Sequence, residues 1–354
     1  QVLRQLDLNE AARTSFLIGS TTQATTRGDG LAILNIGRRF NEVGPRTATF
    51  LTDTYRALGG VRGDIGNVSA TVLRNLKYDV YYSYARTDET ESLDGAISPS
   101  RLQQALLSQN GAAPVANIFG QNLSAAAVGA ISASLHNATR ATQQVASGVL
   151  TGELVPLPAG SADFSLGIEW RRQAASFSPD PLSASGDVSG YGASLPTRGS
   201  QSATEVFGEV RVPLLADMRF AHRLDLSGAL RYSHYDLNGV GGVWTYSGGA
   251  RYEPVRGIAL RSQYQRAIRA PNVGELFGGT STSGPSLVDP CSSRQPTAQQ
   301  TAAVRATCVA TGVPAAGVFT QNVQPNQFIN AVVGGNAALA PETSNTKTAG
   351  VVLT

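Results

Sequence analysis

Apolar and polar residues alternate one by one along much of this chain. Between Asp163 and Arg171, Phe164, Leu166, Ile168 and Trp170 share one side of an extended segment. Ser165, Gly167 and Glu169 share the other side with the flanking charges. Strand side chains point to opposite faces in turn, so a period of two predicts a strand with one apolar face. The pattern recurs over Tyr55–Ile65, Lys77–Arg86, Glu205–Val212, Arg223–Ser233, Trp244–Glu253 and Ile258–Gln265. A less regular strand is predicted at about Thr139–Glu153, and flanking strands at Leu31–Phe40 and Thr346–Thr354. Two short helices are predicted in loops: Ser100–Leu107, and Ala125–Leu135 capped by Ser124. Residues 1–30 carry no assignment.

The regular stretches are roughly 10 residues long, the length that crosses a bilayer when tilted. Strands of soluble sandwiches average about five or six. Aromatics gather near strand ends (Trp170, Tyr232, Tyr235, Trp244, Tyr246, Tyr252), as in a membrane-interface girdle. The polar faces repeat Arg, Glu and Asp, which suits a wet or plugged lumen. Connections alternate: short near Gly66–Asn67, Pro156–Ser161, Leu215–His222 and Pro254–Gly257, long over 88–138, 178–201 and 270–344. The short link near Leu237–Gly242 falls on the long side. Outer-membrane barrels keep short periplasmic turns and long extracellular loops. The expected fold is therefore all-β: an antiparallel transmembrane β-barrel, partial, with about ten strands of a larger barrel. Aromatics packing a soluble core are the competing reading.

Composition sharpens this picture. Only 15% of the 354 residues are charged, against roughly 25% in typical soluble domains. Mean hydropathy is nonetheless −0.08, as expected when outward apolar and inward polar positions cancel. No run of 18 apolar residues exists, so no transmembrane helix is expected. The opening Gln1-Val2-Leu3-Arg4 has no signal-peptide character. Together with an ending in mid-strand, this reads as truncation. The net charge is +3 without a block of five like charges, which argues against nucleic-acid binding. Lys77 and Lys347 are the only lysines; arginine carries the rest of the positive charge. Cys291 and Cys308 sit in one Pro/Gly/Ser/Thr/Gln-rich stretch. One disulfide is the leading reading, with free thiols or a metal pair as alternatives. His136, His222 and His234 are too scattered to complete a metal site.

No enzyme constellation emerges. There is no Gly-x-Ser-x-Gly elbow and no His-Glu-x-x-His. Gly239–Gly242 lacks the Lys-Ser/Thr of a phosphate loop. Asp289-Pro290-Cys291 reads as structural, and the sequon Asn137-Ala138-Thr139 carries little weight. No catalytic residue, cofactor or metal is expected.

One segment is more specific. Arg266-Ala267-Ile268-Arg269-Ala270-Pro271-Asn272-Val273-Gly274-Glu275-Leu276-Phe277 resembles the arginine–alanine–proline motif with a following Glu-Leu-Phe of TonB-dependent receptor barrels. Ala340-Pro341-Glu342-Thr343-Ser344 resembles that family's Leu-x-Pro-Glu segment, which leads into the next strand. Tyr55-Arg56, Gly60-Val61-Arg62-Gly63-Asp64 and Tyr78-Asp79-Val80-Tyr81-Tyr82-Ser83-Tyr84 are similar to an earlier hairpin of the family. So is Asn117-Ile118-Phe119-Gly120 followed by Leu123-Ser124. The resemblance covers roughly residues 38–354. Pro271 removes a ladder donor and ends pairing. Arg269 is then expected to satisfy loop carbonyls or carboxylates near the rim, and Pro341 to fix the entry of Glu342 into its strand. Both motifs read first as architecture.

The resemblance implies a 22-stranded barrel plugged by an N-terminal domain. It implies residence in the bacterial outer membrane, in contact with its lipid. It further implies uptake of a scarce small nutrient: a siderophore, vitamin, haem or oligosaccharide. The TonB–ExbB–ExbD complex would drive that uptake through the plug. Residues 1–354 are then a partial barrel, with the chain's own plug and terminal strands outside it. A passive porin-like barrel and a secreted all-β binding or hydrolase domain are the alternatives. The protein is expected to remain monodisperse only in detergent; a soluble, monodisperse preparation without detergent overturns the membrane reading.

Overall fold

The computed structural model describes residues 15–18, 21–24, 38–108, 114–119, 123–237, 239–320, 323–324, 329 and 331–354. The chain forms two compact units. The first comprises 1–45 and 103–130. It holds the antiparallel pair β1 (Ser15–Ile18) and β2 (Thr21–Ala24) and a 3₁₀ turn at Asn41–Val43. Arg38 ties this turn down: it pairs with Glu42 and donates Nη1 to the Asn117 carbonyl at 2.9 Å.

The second unit comprises 46–102 and 131–354. Its sheet is a meander of nine antiparallel strands. They are β3 (Thr47–Gly66), β4 (Arg74–Ile97), β5 (Ser132–Leu157), β6 (Gly160–Ser178), β7 (Thr197–Met218), β8 (Ala221–Tyr235), β9 (Gly242–Val255), β10 (Ile258–Arg269) and, beyond a long insertion, β13 (Glu342–Leu353). The insertion carries its own pair, β11 (Ser281–Ser283) and β12 (Ala331–Val333). Across both units, the described residues outside the strands form the α-helices α1 (Pro99–Leu106), α2 (Ala125–Ile131), α3 (Pro181–Ser185), α4 (Val273–Phe277) and α5 (Ala302–Ala310). This is the antiparallel wall that the alternation predicts.

Several expected boundaries need correction. The strands run 12 to 26 residues, not roughly 10. The extra length lies mainly toward the long loops, where both faces turn polar; the ladder continues because backbone pairing needs no apolar face. β5 accordingly begins at Ser132, so the second predicted helix stops at Ile131 and Ser132–Leu135 is strand. Within the predicted strand Leu31–Phe40, residues 38–40 are not strand and 31–37 lie outside the described residues. The last strand starts at Glu342, four residues before the expected Thr346.

At one end the strands join through 67–73 and two-residue turns at 158–159, 219–220 and 256–257. Gly257 has φ +87°, the left-handed region open to glycine. Phe220 holds φ +66° without that freedom, and the Tyr252 hydroxyl donates to its carbonyl. At the other end the strands are joined through 98–131, 179–196, 236–241 and 270–341, so the long connections leave from one edge of the wall.

A small dry core lies at that edge. Leu93, Ala96, Ala133, Leu135 and Val188 are buried together, with Leu182 of α3 packed on them. Asp180 caps α3 by accepting from the Leu182 N–H at 2.9 Å. Asp187 accepts from the Ser98 hydroxyl and from the Ser100 N–H and hydroxyl at 2.8 and 2.7 Å. These bonds, from Ser98 first, hold its carboxyl below the ordinary range.

Elsewhere the packing lies on the sheet itself. On the polar face the Phe207 ring covers Gly167, where a Cβ would overlap the ring, and the Arg231 guanidinium stacks 4.6 Å from the ring centroid. Gly167→Val should destabilise the wall by about 1–3 kcal/mol, read as a lower urea midpoint in detergent. Phe207→Ala in the same chain should remove most of the added penalty. An unchanged midpoint for Gly167→Val would show that the ring does not cover this glycine.

Candidate functional site

The two faces of the wall are inverted relative to a soluble sheet. On β6–β9 the even-numbered residues form the apolar face, and many are open: Ile168 is 55% exposed, Val206 55%, Leu230 50% and Trp244 53%. The odd-numbered face is polar, yet Glu205 is 2% exposed, Ser233 2% and Asp225 8%. A soluble sheet would bury the first face and wet the second.

Glu205 centres the polar face. It accepts from Ser233 Oγ at 2.7 Å and from Arg231 Nη1 at 3.1 Å, with Arg171 Nη2 3.8 Å away. Arg171 also reaches Glu169 at 3.4 Å. Nearer the short turns, Arg211 lies 3.7 Å from both Asp163 and Asp225, and Arg223 donates Nε to Asp225 at 2.6 Å. Each buried carboxylate thus has a guanidinium beside it, the arrangement a buried charge requires.

On the apolar face the aromatics form one oblique line. It runs through Tyr55 (β3), Tyr84 and Tyr82 (β4), Trp170 (β6), Tyr232 (β8), Trp244 and Tyr246 (β9) and Tyr264 (β10). Ring centroids approach to 6.4 Å for Tyr55–Tyr84, 4.8 Å for Tyr232–Trp244 and 6.1 Å for Tyr246–Tyr264. Carried across the ladder, Tyr55 lies in the row of Ala174 on β6. Tyr264 lies in the row of Phe164. The line therefore shifts ten residues along β6 between β3 and β10.

The motif residues converge where the long insertion leaves and rejoins the wall. Arg269 ends β10. Its Nη1 and Nη2 donate to Glu275 at 3.0 and 3.1 Å, and its Nε donates to Glu342, the first residue of β13, at 3.2 Å. Glu275 is also half of a capping box: its N–H donates to Asn272 Oδ1 at 2.9 Å, and the Asn272 N–H donates to Glu275 Oε2 at 2.8 Å. Pro271 is buried, as are Val273 and Leu276 on the inner side of α4. Phe277 lies over Gly199 of β7. Ala270 lines a concavity on the polar face with Arg171, Gln173, Gln201 and Tyr235. Pro341 directly precedes β13 and is half-buried. The two motifs, 73 residues apart, share one guanidinium.

Within the insertion, Cys291 and Cys308 are joined, with Sγ atoms 2.02 Å and Cα atoms 5.7 Å apart. Cys308, on α5, and Cys291 are buried with Val318 under Val304, Val313 and Phe319. Gln324, 2% exposed, binds this fold together. It donates Nε2 to the Leu287 carbonyl at 2.7 Å and accepts at Oε1 from the Asp289 N–H at 2.8 Å. Below, β11 pairs with β12, and the Asn336 N–H donates to the Glu275 carbonyl at 2.8 Å. Sequence reasoning missed Gln324 and Asn272. Nothing in composition separates one Gln from the many others here. Asn272, directly after Ala-Pro and three residues before Glu275, was a legible cap.

An antiparallel meander with an open apolar face, buried charge on the other and long loops on one edge is the wall of a β-barrel. The sequence model of the TonB-dependent receptor-like β-barrel matches residues 4–354, and the chain belongs to that family, an outer-membrane family of receptors. No curated protein matches the chain. Among solved structures it is similar to a mutant of the ferric enterobactin receptor PfeA from Pseudomonas aeruginosa: 18% identity, 86% of this chain, 33% of that one, TM-score 0.45. It is also similar to the siderophore receptor PirA from Acinetobacter baumannii: 14% identity, 87% and 33% coverage, TM-score 0.46. A PfeA mutant in complex with enterobactin shares 14% identity over 86% of this chain and 51% of that one, with TM-score 0.34. The chain thus spans about a third of the length of the first two.

The latch has a pH signature. Hydrogen bonding to Arg269, then to the Asn272 N–H, holds the Glu275 carboxyl below its ordinary 4.5. A depressed carboxyl contributes fully above that ordinary value and loses its contribution as pH falls through the lower folded one. Protection of 270–341 from an acid-active protease should therefore hold from pH 7 to 4.5 and decline below. Arg269→Ala should raise cleavage severalfold at neutral pH already. Equal cleavage of variant and wild type would remove the latch from consideration.

Proposed function

We propose that this chain forms part of the wall and outer loops of an energy-coupled importer in the bacterial outer membrane, one that captures a scarce small nutrient. The observation that carries the membrane placement is the oblique aromatic line. Seven steps between strands span about 34 Å and ten residues about 33 Å, so the line is level in a bilayer when the strands tilt by roughly 45°. That is the tilt of membrane-spanning strands. Aromatics then lie at one interface, the long loops lie beyond it, and the open apolar face meets lipid.

Ligand capture is assigned to the insertion between β10 and β13. It is the longest loop, it is folded around its own disulfide-bonded core, and it is anchored at the rim by Arg269. The buried charges of the polar face then look into the lumen, where a plug supplied by the same protein would sit. Engagement of that plug by the TonB–ExbB–ExbD complex would supply the energy. The nutrient class is a siderophore, vitamin, haem or oligosaccharide. Siderophore receptors such as PirA are among the proteins of similar fold.

Deleting 280–335 from the full-length protein leaves the wall strands and the Arg269 latch in place. The deletion should weaken binding of the imported nutrient at least tenfold while detergent-solubilised stability is kept. Unchanged affinity would sink the assignment of capture to this loop.

A further inference from the structure

The polar face changes character toward the long loops. Around Glu205 it is dense with charge. Beyond Arg171, the positions of β5–β7 on this face carry no charge at all. The register sets Gln143, Gln173 and Gln201 side by side on three neighbouring strands. The next row on the same face is Ala141, Ala175 and Gly199. The row after it is Thr139, Phe177 and Thr197. These rows hold amides, hydroxyls, small side chains and one aromatic ring. The arginines of the same strand ends, Arg140, Arg172 and Arg198, fall on the opposite face.

Two of the glutamines line a recess. Gln201 donates Nε2 to Gln173 Oε1 at 3.2 Å. Its own Oε1 is buried and meets no donor among the described residues. With Arg171, Tyr235 and Ala270, the two side chains line a concavity of about 210 Å³. Arg171 brings no unpaired charge to it, because Glu169 and Glu205 lie beside the guanidinium. The base of the insertion borders the same surface. Phe277 lies over Gly199, and Thr197 Oγ1 accepts from the Gly279 N–H at 2.9 Å. A molecule passed inward from the insertion therefore meets these rows.

Their chemistry selects among ligands. An anion finds no countercharge here and would lose its water without compensation. The ionised oxygens of a metal chelate only accept hydrogen bonds, so they cannot supply the donor that Gln201 Oε1 lacks. A sugar hydroxyl both donates and accepts, and so does a glutamine amide. The ring of Phe177 offers an apolar surface to the C–H face of a sugar. Three strands and three rows cover roughly 10 by 13 Å, longer than one sugar ring.

We propose that the imported nutrient is a neutral oligosaccharide, and that Gln143, Gln173, Gln201 and Phe177 form a subsite for it on the lumen side of the wall, at the foot of the insertion. This names the ligand class of the importer described above and rests on that reading.

The test uses the full-length protein in non-ionic detergent on a printed array of neutral hexasaccharides built from glucose, galactose, mannose, xylose or fructose. The strongest binder is then titrated by calorimetry beside a ferric tris-catecholate, haemin and cyanocobalamin. Wild type should bind one of the hexasaccharides at least tenfold more tightly than any of the other three probes. Q173L/Q201L should weaken that binding at least tenfold, and F177A severalfold. Gln143 is exposed, so Q143L, with an expected severalfold loss, keeps the test decisive if the double variant fails to fold. R172Q, on the opposite face of β6, should leave affinity unchanged. Undiminished binding by both Q143L and a folded Q173L/Q201L overturns the subsite. A wild type that prefers the ferric chelate, haemin or cyanocobalamin overturns the ligand class and keeps the importer. A wild type that binds none of the four kinds of probe overturns the capture reading together with this one.

Discussion

The fold depends on one constraint: in hydrocarbon, every backbone N–H and C=O must find its partner within the chain. The ladder shows where that constraint applies. Register shifts occur at Asp64/Gly66, Arg74/Lys77, Glu153/Pro156, Pro213/Leu215 and Ile258/Leu260, all toward the short turns, and at Leu93/Ala96 near the long loops. Between them, where the oblique line of aromatics crosses, the pairing is unbroken. The strand prolines obey the same rule: Pro156, Pro213 and Pro254 all sit near turns, where a missing donor can be replaced by water.

Charge placement follows from the same geometry. A sheet one layer thick has two faces and no interior of its own. Its apolar side chains solve the solvent problem on one face only, so the opposite face collects groups that satisfy one another. Glu205, with guanidinium groups from β6 and β8 and a hydroxyl from β8, is the densest case. The Phe207 ring also lies on that face, and its position is explained by Gly167 beneath and Arg231 above. Neighbouring strands thus constrain each other's composition row by row.

Much of this was legible in the chain. Period-two alternation located seven of the nine sheet strands, because one face there is apolar and the other is not. It underestimated β4 and β7 most, and β5 nearly as much. Arg86–Ile97 and Ser132–Thr142 carry polar residues on both faces, so nothing alternates, although the backbone stays paired. The helix expected to reach Leu135 failed for a related reason. Ser132–Leu135 is apolar enough for either element, and pairing with Leu93–Ile97 decides for strand. Arg269, Glu275 and Glu342 stood out as motif residues, but their convergence on one guanidinium depends on the path of the insertion.

The insertion between β10 and β13 is closed at its base. β11 pairs with β12, Asn336 bonds back to Glu275, and Arg269 clasps both ends. Its upper part has a separate core around the Cys291–Cys308 bond. Substitutions in that upper part meet neighbours inside the insertion and leave the ladder beneath it intact. The wall and the loop can therefore diverge at different rates. Such a protein can remodel its outer surface without renegotiating how it stands in the membrane.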